Sequence, residues 1–438
     1  MARADSDLVM ICTSDVAGQL RGKAMPRKYL DSRSETGVGW TPTNVFITSF
    51  GPIAPSPWGA LGDLFIRPDL STLVDLELPD CGIDESFALG DVMQLDGTPW
   101  DCCLRGQLRA AVDRLEQRHG LSLRVSFEHE FHYAGAEAQP GLGYALRAFR
   151  RIGPFANRLM TVLEAAGLEL DTFMPEYGPG QAEVTIGPKP ALRAADEAAI
   201  LRELVRATAR GLDTRASFAP ILDPAGVGNG VHVHFSLWDR DGKPVSHDPA
   251  APHGVSQQAA AFIGGVLKHL PDFVAMTAPT VSSYLRLVPH RWSAAFNNLG
   301  KQDREAAVRI CPVFGGADKT AERFHFEFRA ADAAATPHLV LAALINAGLD
   351  GLETGLALPP VTERDLADLS KDDLADLGCE VLPNSLEAAL TRMTGSAWAK
   401  AAFGETLIDV IDRHKRAEME VMAGLSPEDV CARYAKAY

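Results

Sequence analysis

The sequence is short of the features that mark secreted, membrane or nucleic-acid-binding chains. Only seven of its 438 residues are cysteines. Cys12, Cys81, Cys102, Cys103, Cys311, Cys379 and Cys431 are odd in number, scattered and without a C-x-x-C pair, which excludes the disulfide framework of a small secreted domain. Basic charge is scarce as well. Lys and Arg number 42 against 57 Asp and Glu, a net charge of −15, whereas nucleic-acid binders carry a basic face. The longest apolar stretch, Leu339–Leu349, is too short to span a bilayer and holds Asn346. The start, Met1-Ala-Arg-Ala-Asp-Ser-Asp, has no long apolar run of the signal-peptide kind. The nucleotide signatures are missing too: Phe314-Gly-Gly-Ala-Asp-Lys-Thr320 has no Gly before its Lys, and Gly226-Val-Gly-Asn-Gly230 leads into a strand pattern instead of following one. These absences predict a soluble cytoplasmic protein with no nucleic-acid or membrane partner. At 46% apolar and 23% charged residues, the composition is that of a globular chain of several domains.

What is present is organised in two parts. Residues 1–97 are rich in Gly, Pro, Ser and Thr, with β-type runs at Asn44-Val-Phe-Ile-Thr48 and Ser71-Thr-Leu-Val-Asp75, and predict a small, mostly β domain. From Leu104 onward, helical spacing (Leu104, Leu108, Ala111, Val112, Leu115) opens a larger domain over 98–438. Further helices are expected near 191–211, 255–270, 337–354 and 400–422. Residues 361–387 hold eight acids and two bases, the composition of a solvated surface excursion.

Three alternating segments carry the chemistry. In Arg124-Val-Ser-Phe-Glu128-His-Glu130-Phe-His132-Tyr, a period of two sets Val125, Phe127, His129 and Phe131 against Glu128, Glu130 and His132. Val231-His-Val-His-Phe-Ser-Leu-Trp238 places His232, His234 and Ser236 opposite its apolar face, and Arg323-Phe-His-Phe-Glu-Phe-Arg329 sets three phenylalanines behind Arg323, His325, Glu327 and Arg329. The Gly-Pro turn of Glu176-Tyr-Gly-Pro-Gly-Gln-Ala-Glu183 adds two carboxylates. For any one strand, a sheet with one wet face is the plainer reading. Yet these faces contain no Lys and pool Glu, His and Arg. If they converge, Glu128, Glu130, Glu176, Glu183 and Glu327 meet beside His232, a charge density that requires compensation. Hard divalent cations, Mg²⁺ or Mn²⁺, suit oxygen ligands with one imidazole; zinc is disfavoured because no cysteine lies near and the carboxylates are too many. Arg286, Arg304, Arg309, Arg323 and Arg329 fall in the same half, and metals facing arginines is the layout for phosphoryl transfer.

Together these segments resemble the glutamine synthetase family over nearly the whole chain. The resemblance rests on Asp15-Val-Ala-Gly-Gln-Leu-Arg-Gly-Lys23, Phe127-Glu-His-Glu130, Glu176 with Gly180-Gln-Ala-Glu183, Asn229-Gly-Val-His232 through Trp238, Arg286-Leu-Val-Pro289, Asp303-Arg304 with Val308-Arg309-Ile310, and Glu327-Phe-Arg329 followed by Asp332 and Leu341 to Gly351. It implies an α+β architecture: an N-terminal β-grasp domain and a C-terminal catalytic domain with a curved antiparallel sheet flanked by helices. It also implies hexameric rings, often stacked as dodecamers, with active sites between subunits. By position, Glu130, Glu176 and Glu183 resemble the ligands of one metal, and Glu128, His232 and Glu327 those of another, within a set of two or three Mg²⁺ or Mn²⁺. Arg286, Arg329 and the Gly228 backbone match glutamate-binding positions. Arg304 and Arg309 match phosphate-holding ones, and His234 with Ser236 the adenosine side. The implied reaction passes the ATP γ-phosphoryl group to the γ-carboxylate of L-glutamate, with Arg304 and Glu327 in catalytic positions, and an amine then displaces the phosphate.

Several departures bear on the amine. Where the family loop reads G-Y-E-A-P, this chain has His290-Arg-Trp-Ser-Ala294, with Trp292 at the Glu position. The N-terminal D-G-S-S is replaced by Phe46-Ile-Thr-Ser-Phe50, which has no acid. His325 replaces a usual Arg, Asn229 a usual small Ser, and nothing matches the tyrosine-bearing adenylylation loop. An indole offers apolar area and a π face instead of a counter-charge. The expectation is a γ-glutamyl-amide ligase for an alkylamine, amino alcohol or aromatic amine, with long polyamines disfavoured because a second cationic end calls for carboxylates. An ammonia-using enzyme and a non-catalytic scaffold are the alternatives.

Overall fold

The computed structural model describes residues 7–136 and 141–438. In the N-terminal part, six strands form one sheet in the order Leu20–Pro26, Leu8–Ser14, Ile83–Gln94, Leu64–Pro68, Val38–Trp40, with Val74–Leu78 also on Ile83–Gln94. Met10–Cys12 runs parallel to Phe87–Leu89, and the other pairs are antiparallel. Val9, Ile11, Ile66, Ala88 and Val92 close a small core of their own. Cys12, Val16 and Phe46 face the other way into the large core of the second part.

Two expected strands turn out otherwise. Residues 44–46 fall in a 3₁₀ turn, Pro42–Phe46, and of the expected strand only Ile47 makes a bridge, to Ile53, because Pro42 presets the first helical position and Phe46 is buried against Trp58. In the second run, the Asp69 carboxylate accepts from Ser71 N and caps a 3₁₀ turn at Leu70–Thr72, so the strand begins only at Val74.

The large part is built on ten strands. Leu121–Tyr133 lies at its centre, with Val231–Asp239 on one side and Gln181–Ile186 on the other. Beyond Val231–Asp239 come Phe326–Phe328 and Val308–Ile310, still antiparallel. The expected antiparallel order gives way at that edge, where Leu299–Lys301 pairs in parallel with both Val308–Ile310 and Val361–Thr362. Phe324, Phe326 and Phe328 are buried as the alternation predicts, but only residues 326–328 join the ladder, since Thr320–Arg323 is a helical turn.

Helices Leu104–His119, Ala191–Arg210, Gln257–Thr277 and Pro337–Thr354 lie at the expected places. Gln257–Thr277 is long and apolar enough to cross a membrane by length and composition, but 89% of that window is buried inside the protein. Helix Leu146–Ala165 was not foreseen from the sequence. Its buried positions Ile152, Phe155, Ala156, Leu159, Val162 and Leu163 follow helical spacing, a pattern interrupted in the sequence by Gly153-Pro154. The eight acids of 361–387 are exposed, as expected, while Leu366, Leu374 and Cys379 between them pack on Ala295 and Phe296.

Candidate active site

The strand Leu121–Tyr133 sorts its side chains as its sequence dictates. Val125, Phe127 and Phe131 are buried on the helix side, which leaves Glu128 and Glu130 together on the opposite face. Register then brings in the partners. Glu128 pairs with His232, and Glu130 with Glu183; Glu327 is flanked by His234 on one side and Arg309 on the other. Directly opposed residues on one face lie within side-chain reach, so pairing alone assembles a charged cluster. Glu176 enters from the turn after strand Leu170–Pro175, where its N–H donates to Gln181 O at 2.9 Å.

The six proposed metal-ligating residues converge. Ligand atoms of Glu130, Glu176 and Glu183 lie within 4.8 Å of one another, and so do those of Glu128, Glu183 and His232. His232 Nδ1 is 3.4 Å from Glu128 Oε2 and 3.6 Å from Glu327 Oε1. The electrostatics divide the cluster. Burial, reinforced by Glu128, Glu130 and Glu176, pushes the Glu183 carboxyl up to about 9. Burial, together with Glu176, likewise raises Glu130 to about 7, against the pull of Arg286. Glu327 is buried too, but Arg329 and His232 outweigh the desolvation and hold it at about 2. Its carboxylate accepts from Arg309 Nη1 at 2.7 Å and from Arg329 Nη1. Without a cation, then, one half of the cluster holds protons and the other half borrows arginines.

Three residues of this cluster carry buried polar atoms without hydrogen-bond partners: His232 Nε2, Arg286 Nη1 and Arg309 Nε. Crowded carboxylates that otherwise stay protonated, together with the orphaned His232 nitrogen, fit a hard divalent cation. Arg286 closes the short helix Ser283–Arg286, and two glycines admit it. A Cβ on Gly230 would stand 2.6 Å from Arg286 Nη2 and 2.9 Å from His232 Nε2, and one on Gly228 2.7 Å from Arg286 Cδ. Arg329 Nε donates to Arg304 O at 2.8 Å, while the Arg304 side chain reaches solvent. Ser236, on the His234 face, accepts from Trp238 Nε1 at 2.9 Å.

Trp292 is 60% exposed, on a loop with left-handed backbone at His290 (φ 63°) and Trp292 (φ 54°). Glu305 holds that strained turn by accepting from both amides at 3.0 Å. Arg329 Nη2 donates to Trp292 O at 3.1 Å, so the loop is tied to one of the arginines matched to glutamate binding. An open cleft of about 920 Å³ adjoins it, lined by Asp303, Glu305, Glu363 and Asp365 with Lys301 and Arg364.

Three contributors escaped the sequence reading. Gln181 Nε2 lies 3.2 Å from Glu130 Oε2, 2.9 Å from Gly228 O and 3.0 Å from Asn229 Oδ1, tying a cage carboxylate to the glycine segment. Tyr144, at φ 59°, hydrogen-bonds Glu176 from a Gly-rich loop that carries no signal. The third, Cys311, corrects the premise that no cysteine lies near: its Sγ is 3.9 Å from Glu327 Oε2 and 3.9 Å from His234 Nδ1. Strand alternation from Arg309 points to it.

Comparison with known proteins settles the family. The glutamine synthetase N-terminal domain model matches residues 2–100, and the glutamine synthetase catalytic domain model matches residues 101–432. The chain belongs to the glutamine synthetase family. It is thus an ATP-dependent carbon–nitrogen ligase, of a family that uses divalent metals. Among its relatives, gamma-glutamylpolyamine synthetase GlnA3 of Streptomyces coelicolor is 33% identical over 97% of this chain and 92% of its own length. Glutamine synthetase of Mycolicibacterium smegmatis is 31% identical over 95% and 93%. A crystal structure titled as a novel glutamine synthase homolog superposes with a TM-score of 0.90 at 39% identity, covering 100% of both chains.

Proposed function

We propose that this glutamine synthetase family member joins the γ-carboxylate of L-glutamate to an organic amine through a γ-glutamyl phosphate. In this reading Glu130, Glu176 and Glu183 hold one Mg²⁺ or Mn²⁺, and Glu128, His232 and Glu327 a second. When bound, such ions screen the phosphate oxygens and neutralise the transferring group. The chain's own groups do the rest. Arg286, Arg329 and the Gly228 backbone hold glutamate. Arg304 and Arg309 hold phosphate oxygens and stabilise charge that develops during transfer, and His234 with Ser236 faces the adenosine. Arg309 and Arg329 are preorganised for this by Glu327, which fixes both guanidinium groups before any substrate arrives.

The observation that carries the amine preference is Trp292, exposed on a loop whose backbone is bound to Arg329. An indole there favours an organic amine over ammonium, because it supplies apolar area where ammonium needs a carboxylate. The cleft beside it changes one expectation from the sequence. Asp303, Glu363 and Asp365, beside Lys301 and Arg364, are carboxylates of the kind a second cationic end calls for, so diamines and polyamines join the candidate substrates. The polyamine activity in the name of the Streptomyces relative supports the same extension. As part of the same reading, the protein is cytoplasmic and assembles in hexameric rings, stacked as dodecamers, with sites between subunits.

ADP release with Mg²⁺, glutamate and a panel of ammonia, alkylamines, amino alcohols, aromatic amines, diamines and polyamines tests the reading. Turnover with ammonia alone makes the protein an ordinary glutamine synthetase, and no turnover with any amine favours a scaffold. Trp292→Ala is expected to shift relative kcat/KM among amines at least about tenfold while moving the KM for glutamate little. An equal loss with every amine makes Trp292 a packing residue of the loop.

A further inference from the structure

The oxygen cage has a neighbour of different chemistry. Cys311 follows the strand Val308–Ile310, and its N–H donates to His325 O at 3.2 Å, which sets residues 311 and 325 side by side. His234 reaches the same spot from the adjoining strand, its Nδ1 3.9 Å from Cys311 Sγ. The two imidazole rings have centroids 5.1 Å apart. One ligand atom from each of Cys311, His234 and His325 lies within 4.8 Å of the others.

The orientation of the rings matters more than their nearness. His325 Nδ1 is 2.7 Å from Arg323 O, so it carries the proton and Nε2 is left with its lone pair. In His234 the division is reversed, with Nδ1 towards the sulfur and Nε2 3.1 Å from Glu128 Oε1. Each ring thus has one nitrogen beside an oxygen and the other left for a ligand, as in metal-binding histidines fixed by a carbonyl or carboxylate. One thiol with two imidazoles is a donor set for zinc-like ions, whereas Mg²⁺ and Mn²⁺ prefer oxygen. In a tetrahedral zinc site, ligand atoms stand roughly 3.5 Å apart, so the donors need close only slightly around an ion.

We propose that Cys311, His234 and His325 form a second kind of metal site, for Zn²⁺ or an ion of similar softness, at the rim of the oxygen cage. Binding converts the Cys311 thiol to a metal thiolate and releases its proton to solvent. The fourth position is open to water or to Glu327. A metal seated here covers the face on which the ligase reading places adenosine; that consequence, unlike the site itself, rests on that reading.

The test uses the full-length protein with excess Mg²⁺ to fill the oxygen ligands, and Co²⁺ as a spectroscopic stand-in for Zn²⁺. Wild type is expected to develop one equivalent of a near-ultraviolet thiolate-to-cobalt charge-transfer band with intense visible bands of a tetrahedral ion. Zn²⁺ should displace both. The charge-transfer band should vanish in Cys311→Ser, and no other cysteine belongs to a candidate metal group among the described residues. His325→Gln, a change at a half-buried ring, provides a second variant and should weaken Zn²⁺ binding at least about tenfold. Weak octahedral bands alone, identical in wild type and Cys311→Ser, would overturn the proposal. The spectrum is read without ATP, glutamate or amine, so it stands or falls apart from the ligase assay.

Discussion

At the scale of single residues, the cation role proposed for Glu183 trades against the stability of the metal-free protein. Buried among Glu128, Glu130 and Glu176, it holds its proton up to about pH 9. Glu183→Gln replaces that protonated acid with a neutral group of the same shape. The metal-free variant should therefore be as stable as wild type or up to about 2 kcal/mol more stable, while the rise in Tm that saturating Mg²⁺ gives wild type should shrink or disappear. Thermal melts with and without Mg²⁺ check both; a variant destabilised without metal would mean that Glu183 is ionised and partnered. The sequence made much of this site readable. Alternation alone put Glu128 and Glu130 on one face, and the pooling of Glu, His and Arg without Lys marked that face as unusual. Cross-strand partners were beyond it, because pairing Glu130 with Glu183 or Glu327 with Arg309 is set by register between distant segments. Cys311 was missed for the same reason, since its neighbours His234 and His325 arrive from other strands.

At the scale of elements, long periodic segments were legible and short ones were not. The four helices with sustained spacing lie where expected, because a buried apolar stripe leaves a long trace in sequence. The run 400–422 reads as one helix but is two, Ala397–Phe403 and Glu405–Met422, divided at Gly404 with φ 82° and ψ 144°. That backbone is strained for any residue with a Cβ, although a methyl group would meet nothing within 4 Å. Gly404→Ala should consequently cost about 1–2 kcal/mol through backbone strain alone, measurable by urea unfolding. An unchanged midpoint would show that the break is set by packing of Trp398 and Phe403 and tolerates other residues. The misread strand at 44–48 teaches the converse: four β-prone residues weigh less than one proline placed to start a turn.

At the scale of the whole molecule, charge both joins the domains and sets the response to pH. Arg105, 2% exposed, donates to Asp196 at 2.8 and 2.9 Å, to Asp91 at 2.9 Å and to Asp69 at 2.6 Å. Asp196 in turn lies 2.9 Å from His338 Nε2, and His338 Nδ1 is 3.0 Å from Ser14 Oγ. Arg105→Met removes the guanidinium that Asp69, Asp91 and Asp196 share, leaving the buried Asp196 with His338 alone and Asp91 with Arg109 alone, and should cost about 3–5 kcal/mol, read as a fall in the unfolding midpoint. The pH response follows from linkage. An acid raised in the folded state binds more protons there than in the unfolded chain, so its contribution is present at low pH and fades as pH rises towards the folded value. For Glu183 that window runs from 4.5 to about 9, at ~1.4 kcal/mol per pH unit. Buried His129 and His414, held down at about 3 and about 4 chiefly by desolvation, act with the opposite sign but only below 6.5, so they leave the alkaline limb alone. Glu130, raised to about 7 by burial, His234 and His325, raised in spite of burial, and Cys311, lowered in spite of it, are shifted groups that the wild type shares with a Glu183 variant. The comparison must therefore be made between wild type and Glu183→Gln, in which these shared groups cancel to first order. Between pH 7 and 8.5 without metal, wild type should lose stability faster than Glu183→Gln by ~1.4 kcal/mol per pH unit, and saturating Mg²⁺ should remove the difference in slope by ionising Glu183 in the folded protein. Parallel slopes in metal-free melts would show that Glu183 already carries its charge, and that the cage is neutralised by arginines without any cation.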